Sequence, residues 1–403
     1  MKPGIFAATT AIAMALSVAP GVQAQVSADV VKIGLLIDMS GSYSDLSGTG
    51  SVIAGRMAID DFGGKVLGKP IELVSGDSQN KADIASTKAR EWFDTGNVDA
   101  ILDLVPTNVA LAVMEIAAQK NKIAVVVGSA STPITNEKCT PTSMHWMYDT
   151  YSSSIGVGRA LAKNGKDTWF FITADYAFGK ALEKDVSDVV VAAGGKVVGA
   201  VRHPLNALDF SSLLLQAQNS TAKVVGLANA GGDAVNAIKQ ASEFGLTKNQ
   251  IVAPLLLFIS DVHSLGLPAA QGLFLTEGFY WDHNEQTRAW SRRFFEKHKR
   301  MPTMAQAGVY SAVTHYLKSV QAAGTDATDA VVKKMHDTPV RDVVIPNGHI
   351  RDDGRLVHDM LLVQVKKPSE SKGPWDYYHV RDVIPGDQAF KPLAQSTCPL
   401  VKR

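Results

Sequence analysis

Two cysteines in 403 residues are too few for a thiolate-only zinc centre or a disulfide scaffold, and leave room for one bridge at most. A surplus of either charge is missing as well. Lysine plus arginine number 40 and aspartate plus glutamate 39, which argues against a nucleic-acid partner held by bulk charge, because counterion release needs a basic excess. No apolar stretch free of charges and turn formers reaches the ~20 residues a membrane-spanning helix needs. The motifs of group transfer are also absent: no Gly-Lys-Ser/Thr phosphate loop, no Gly-x-Ser-x-Gly nucleophile elbow, and ten histidines with no pair at metal-binding helical spacing. Gly48-Thr49-Gly50-Ser51 precedes a helical pattern, but Ile53 stands where a dinucleotide fingerprint needs its third glycine. The sequence therefore gives no support to an enzyme, a cofactor or a metal.

What is present is an ordinary globular composition, 46% hydrophobic and 20% charged with 33 Gly and 17 Pro, enough for a large core. Met1 to Ala24 reads as a secretory signal peptide: Lys2 supplies the positive start, Ile5 to Val18 is apolar apart from Thr and Ser, and Val22-Gln23-Ala24 offers small residues for cleavage after Ala24. Lys2 is the leader's one ionisable side chain, so its removal brings the two charge counts level. No cysteine near the cleavage site can accept a lipid, so a soluble periplasmic product is expected. Export to an oxidising compartment favours pairing of Cys139 with Cys398 over two free thiols.

Along the mature chain, short apolar runs alternate with helical patterns. Strand candidates Val31 to Ile37, Ile71 to Ser75, Ala100 to Leu104 and Ile123 to Val127 are separated by helical stretches, the mark of a parallel sheet covered on both faces. After an irregular stretch, Ser129 to Asp149, the alternation restarts with strands at Thr168 to Ile172, Lys196 to Val201 and Val224 to Leu227. The pattern predicts an α/β fold of two doubly wound lobes. Beyond it lie a strand (Gly272 to Trp281), two helices (Glu285 to Lys299 and Ala305 to Ala322), a hairpin within Ile345 to Val365, and a polar stretch from Lys367 to Arg403 that reads as a surface tail.

Three strand ends run into small hydroxyl-bearing residues: Met39-Ser40-Gly41-Ser42-Tyr43, Pro106-Thr107-Asn108 and Gly128-Ser129-Ala130-Ser131-Thr132. In open α/β sheets ligands sit beyond the carboxyl ends of the strands, where loops meet helix N-termini. Free backbone N–H groups and a helix dipole there hold a carboxylate without any Arg or Lys. N-capping and turn formation are the alternative roles for Thr107, Asn108 and Ser131.

The ordered series Val31-Lys32-Ile33-Gly34, Met39-Ser40-Gly41, Gly55-Arg56-Met57-Ala58-Ile59, Val125 to Ser131, Ala174-Asp175-Tyr176-Ala177-Phe178-Gly179 and Gly232 to Gln240 resembles the periplasmic solute-binding proteins of branched-chain amino-acid type ABC transporters. That resemblance implies a type I periplasmic-binding fold: two Rossmann-like lobes joined by a three-crossover hinge, closing on a small-molecule solute and delivering it to ABC permease membrane subunits. It places lobe 1 at 25–148 and 280–357, lobe 2 at 149–279 and 358–366, and a C-terminal tail at 367–403. It also implies that Thr107, Asn108, Ser129, Ala130 and Ser131 hold a ligand carboxylate, and that the second lobe closes over it at Tyr176 to Phe178 and at Asn229, Ala230 and Gly231.

Amino-acid binders of that family carry an acidic residue for the ligand's ammonium in the loop that here reads Ala253-Pro254-Leu255-Leu256-Leu257-Phe258, without a carboxylate. Enclosing an ammonium with no counter-charge costs several kcal/mol. With Tyr43, Tyr148, Tyr151, Tyr176 and Phe178 and, at the second crossover, Phe279, Tyr280 and Trp281 as candidate walls, an aromatic, hydroxy or oxo acid is the expected ligand. An amino acid remains the alternative, with Asp175 or Glu277 supplying the missing acid. A ligand-sensing input module for a signalling partner is another.

Overall fold

Alternate residues of β1 (Val31–Ile37) enter different cores: Ile33, Leu35 and Ile37 face one helical layer, Leu36 the other. β4 (Ala100–Asp103) and β5 (Ile123–Val126) divide in the same way, Leu102 and Val125 to one side and Ile101 and Val126 to the other. A strand covered on both faces has no polar side to present, which is why these segments read as nearly unbroken apolar runs. The structure, a computed structural model, describes Met1 and residues 26–402 except 163, 164 and 166. The expected signal peptide, Met1 aside, lies outside the described residues.

With β2 (Lys65–Val66), β3 (Lys69–Asp77) and β6 (Ser143–His145), these strands form a six-stranded sheet ordered β2-β3-β1-β4-β5-β6. All neighbours pair parallel except β2 and β3. Helices α1 (Gly48–Phe62), α2 (Ala82–Asp94) and α3 (Thr107–Gln119) lie between the strands. The chain then enters a second lobe through α4 (Thr150–Ala162). There β7 (Thr168–Ala174), β8 (Lys196–His203), β9 (Val224–Ala228) and β10 (Ile251–Pro254) make a parallel sheet ordered β10-β9-β7-β8. It alternates with α5 (Ala177–Ala192), α6 (Ser211–Asn219) and α7 (Gly231–Glu243).

After α8 (Ile259–Leu265), α9 (Leu267–Ala270) and β11 (Phe274–Glu277), the chain returns to the first lobe as α10 (Glu285–His298), α11 (Met304–Ala323) and α12 (Thr328–Asp337). α11 packs along α1. The expected hairpin is shorter than its apolar run: β12 (Gly348–Ile350) pairs with β13 (Leu356–His358), and β14 (Met360–Val365) leaves to pair with β11.

The stretch from 367 onward is not a surface tail. β15 (Tyr378–Ile384) completes an antiparallel sheet ordered β11-β14-β15, and Trp375, Tyr378 and Phe390 are buried. Its charges had suggested solvent exposure, and the middle of β15 is indeed exposed, but the residues on either side of it pack inward. Cys139 and Cys398 form a disulfide that ties the end of this stretch to the first lobe.

The segments running between the lobes are laced together. The buried Arg355 guanidinium donates to Tyr148 O at 3.2 Å and lies 3.6 Å from the Asp149 carboxylate. His358 Nε2 sits 2.6 Å from Met147 O.

Candidate functional site

Three helix N-termini converge where the lobes face each other: Thr107 opens α3 from the first lobe, while Tyr176 and Ala230 stand immediately before α5 and α7 of the second. Each helix leaves its first N–H groups without intrahelical acceptors, and each dipole presents its positive end. Between them lies a narrow chamber, nearly shut, whose free volume of about 20 Å³ is room for about one water molecule.

One end of the chamber carries hydroxyls. Thr107 Oγ1 lies 2.9 Å from Ser129 Oγ and 2.8 Å from Ser131 Oγ, all three buried. The loop bearing the serines is fixed from behind, with Tyr148 Oη donating to Gly128 O at 2.9 Å and His145 Nε2 lying 2.7 Å from Ser129 O. The remaining walls are aromatic and aliphatic: Tyr43, Leu46, Val105 and Tyr148 from the first lobe and its edge, and Tyr176, Phe178, Leu256 and Phe258 from the second. Tyr43 Oη and Tyr176 Oη meet across the gap at 2.5 Å.

No Asp, Glu, Lys or Arg is among the described residues lining this space. Its titratable groups are phenols. Burial raises those of Tyr43 and Tyr148 well above the usual tyrosine range, and that of Tyr176 also upward, so all stay neutral at pH 7. The chamber is therefore uncharged, with the positive ends of helices directed into it.

The nearby carboxyl groups lie outside the lining and are committed elsewhere. Asp261 accepts from Phe258 N at 2.9 Å at the start of α8, and burial pushes it up to about 7. Glu277 accepts from Tyr378 Oη at 3.1 Å, and burial raises it well above the carboxylate range. Asp103 accepts from Ser47 Oγ at 2.7 Å and is pushed by burial to about 6. Asp175 is exposed and paired with Lys180 at 3.0 Å.

Of the residues singled out from sequence, Tyr43, Thr107, Ser129, Ala130, Tyr176, Phe178 and Ala230 surround the chamber. Ser131 joins the hydroxyl cluster from behind. Asn229 is buried next to Ala230, its Nδ2 3.1 Å from His203 Nε2 and its Oδ1 without a hydrogen-bond partner. Three others lie elsewhere. Asn108 faces an outer groove beside Asn80 and Arg202, Tyr151 lines a separate groove against α5, and the Trp281 indole donates to Trp375 O at 2.8 Å. Sequence reasoning missed Leu46, Val105, Pro106 and Gly128 as lining residues, and Leu256 and Phe258 entered only as a loop without an acid. Single apolar residues in loops carry no periodicity that would mark them.

Two lobes enclosing a neutral chamber, joined by a laced hinge, define a receptor that closes over a small solute. The chain belongs to the periplasmic binding protein family, which it matches over residues 30–373. It is similar to a crystal structure of a periplasmic binding protein from Burkholderia mallei, with 54% identity, a TM-score of 0.92, and 93% of this chain and 100% of that one covered. A branched chain amino acid ABC transporter periplasmic ligand-binding protein from Burkholderia xenovorans is 42% identical, with a TM-score of 0.82 over 92% of this chain and 99% of that one. A Leu/Ile/Val-binding protein homolog 6 from Brucella melitensis is 27% identical over 85% of this chain and 89% of its own length. The protein is thus a periplasmic, non-catalytic substrate-binding protein of an ABC transporter, working with membrane permease components on a small-molecule solute.

Proposed function

We propose that the solute is a small organic acid without an ammonium group, with an aromatic carboxylate favoured over a hydroxy or oxo acid. The observation that carries this reading is the uncharged lining: hydroxyls and helix N-termini at one end, rings around the rest, and no carboxylate among the described lining residues. Each charge-assisted hydrogen bond to the ligand carboxylate contributes about 1.5–3 kcal/mol. A ring stacked among Tyr43, Tyr148, Tyr176 and Phe178 adds about 0.5–1.5 kcal/mol per aromatic pair beyond area burial. The Thr107 and Ser129 hydroxyls and the first N–H groups of α3 receive the carboxylate, with Ser131 bonded to Thr107 from behind. The second lobe then closes Tyr176, Phe178 and Ala230 over the body, and closure is favoured by the ligand's extra contacts in the shut state.

Fold neighbours do not select the cargo. Rhodopseudomonas palustris proteins of 19–20% identity were solved with benzoate and 4-hydroxybenzoate, and a Thermotoga maritima leucine binding protein of 19% identity shares the same architecture. The second reading, an amino acid, is favoured by the names of the Burkholderia xenovorans and Brucella relatives. It has to meet the cost of an ammonium enclosed without a counter-charge. Thermal-shift and calorimetric titration with benzoate, 4-hydroxybenzoate and leucine separates the two. Stabilisation by the aromatic acids is expected, and stabilisation by leucine alone refutes the assignment.

The reading also places the mature N-terminus at Gln25 and the lobe boundaries at the crossovers near 148, 279 and 357. Mass spectrometry of the exported protein checks the first, and limited proteolysis at the crossovers the second.

A further inference from the structure

We propose that Ser42, Asn206 and Gly231–Gly232 form a clasp outside the ligand chamber that holds the lobes shut whatever the ligand, and that Asp38 positions the first-lobe half of it. Ser42 Oγ donates to Asn206 Oδ1, and Gly232 N donates to Ser42 O at 3.3 Å. None of these three residues lines the chamber. Asn206 is held in turn by its own N–H, which donates to Asp233 Oδ2 at 3.2 Å in the first turn of α7. Gly231 has a φ of 58°, and a Cβ there would stand 2.4 Å from Ser42 O, so only glycine lets the loops meet.

The first-lobe pad is preformed. The fully buried Asp38 carboxylate accepts from Gly41 N at 2.6 Å and Ser40 N at 3.2 Å on one oxygen, and from Tyr43 N at 2.8 Å and Asn80 Nδ2 at 2.7 Å on the other. All of these donors belong to the first lobe, so the loop carrying Ser42 and Tyr43 keeps its shape whether the lobes are open or shut. A preorganised loop loses little entropy on closing. Because the clasp touches no ligand, it shifts the open–shut equilibrium by one factor for every cargo.

The test is the rate at which a cross-link forms in the full chain carrying Ser42→Cys and Asn206→Cys, which gives up the side-chain bond and leaves the bond from Gly232 N to Ser42 O to hold the loops, under oxidised glutathione and without ligand, followed by mass spectrometry. The cross-link is expected to form faster than in a Ser42→Cys, Leu208→Cys control, since Leu208 is 83% exposed. Adding Asp38→Asn, whose amide nitrogen cannot accept from Tyr43 N or Asn80, is expected to slow it at least about tenfold. Gly231→Ala, in the other lobe, is expected to slow it similarly and keeps the test decisive if the Asp38 variant misfolds. A rate no faster than the control, or one that neither variant changes, overturns the proposal. The readout needs no cargo, so failure of benzoate to bind would leave it standing.

Discussion

The chamber and the hinge treat charge in opposite ways. At the chamber, rings and hydroxyls surround the space, and two carboxyls just outside its lining, Asp261 and Glu277, are pushed by burial towards their protonated forms. At the hinge, a fully buried Arg355 faces Asp149, donates to the Tyr148 and Leu356 carbonyls, and lies 4.5 Å from the centre of the Phe390 ring. Beside it Asp185 of α5 accepts from Thr132 Oγ1 at 3.0 Å and Thr150 Oγ1 at 2.5 Å. A buried ion pair is worth its desolvation where geometry must persist through every cycle of opening. A receptor that must also release its cargo is better served by neutral dipoles, which hold an anion without a full opposite charge to break away from. Fixed charge therefore sits where nothing is exchanged, and neutral donors sit where exchange happens.

Removing charge from the hinge should be the most damaging change. Arg355→Met leaves Asp149 buried with its main counter-charge gone and forfeits the contact with Phe390, for an expected loss of about 3–5 kcal/mol in thermal or denaturant unfolding. A loss below about 1 kcal/mol would mean that the hinge does not depend on its ion pair. Cys398→Ser comes next. It frees the C-terminal stretch that carries Phe390 and is expected to cost about 2–5 kcal/mol, with faster proteolysis after residue 385. On the chamber side, Thr107→Val keeps the shape but removes the hydroxyl shared by Ser129 and Ser131. Benzoate affinity is expected to fall about 10- to 150-fold by calorimetry while the melting temperature barely moves. Equal damage to folding would erase the distinction between the two regions.

How far this contrast could be read from the sequence depended on which signals repeat. The strands of the first lobe were legible because β1, β4 and β5 feed cores on both faces and so read as nearly unbroken apolar runs. The hydroxyl loops were legible because strand ends in such sheets are where ligands sit. The hinge network was not. Arg355 and Asp149 are 206 positions apart in the chain, and a buried arginine has the same letter as an exposed one. β15 was lost for the same reason: its outward Arg381 and Asp382 dominate a segment whose Tyr378 is buried. Tyr151 and Trp281 went astray because an aromatic residue near a crossover has several cavities to face, and only the packing of α4 and the Trp375 carbonyl decides between them.

The smallest expected effect tests the neutrality of the chamber side directly. Asp261 has its folded pKa raised from 3.8 to about 7 by burial, so the native state keeps a proton that the unfolded chain releases from about pH 4 upward. Native protein binding more protons than unfolded means that stability falls as pH rises through this window, and levels off once the folded carboxyl has ionised. Histidines 315 and 358 act in the opposite sense. Burial lowers both to about 4, so their contribution rises with pH from about 4 and levels off only above about 6.5, where the unfolded imidazoles finish losing their protons. Asp103, Asp185 and Asp233, each at about 6, have largely finished titrating by pH 6.5 to 7. Over pH 6.5 to 8 the Asp261 contribution by itself falls by about 1 kcal/mol, while buried Glu277 shifts stability in the same sense and the histidines in the opposite one, so it is read as the difference in melting temperature between the parent protein and Asp261→Asn across that interval. Asp261→Asn keeps an acceptor for Phe258 N and should flatten that decline. In the parent protein, benzoate affinity should weaken over the same interval, because the charge that appears lies at the start of α8, beside the wall formed by Phe258. A benzoate affinity that holds constant to pH 8 in the parent would mean that no carboxyl near the chamber ionises there, and that its neutrality does not depend on a proton held by burial.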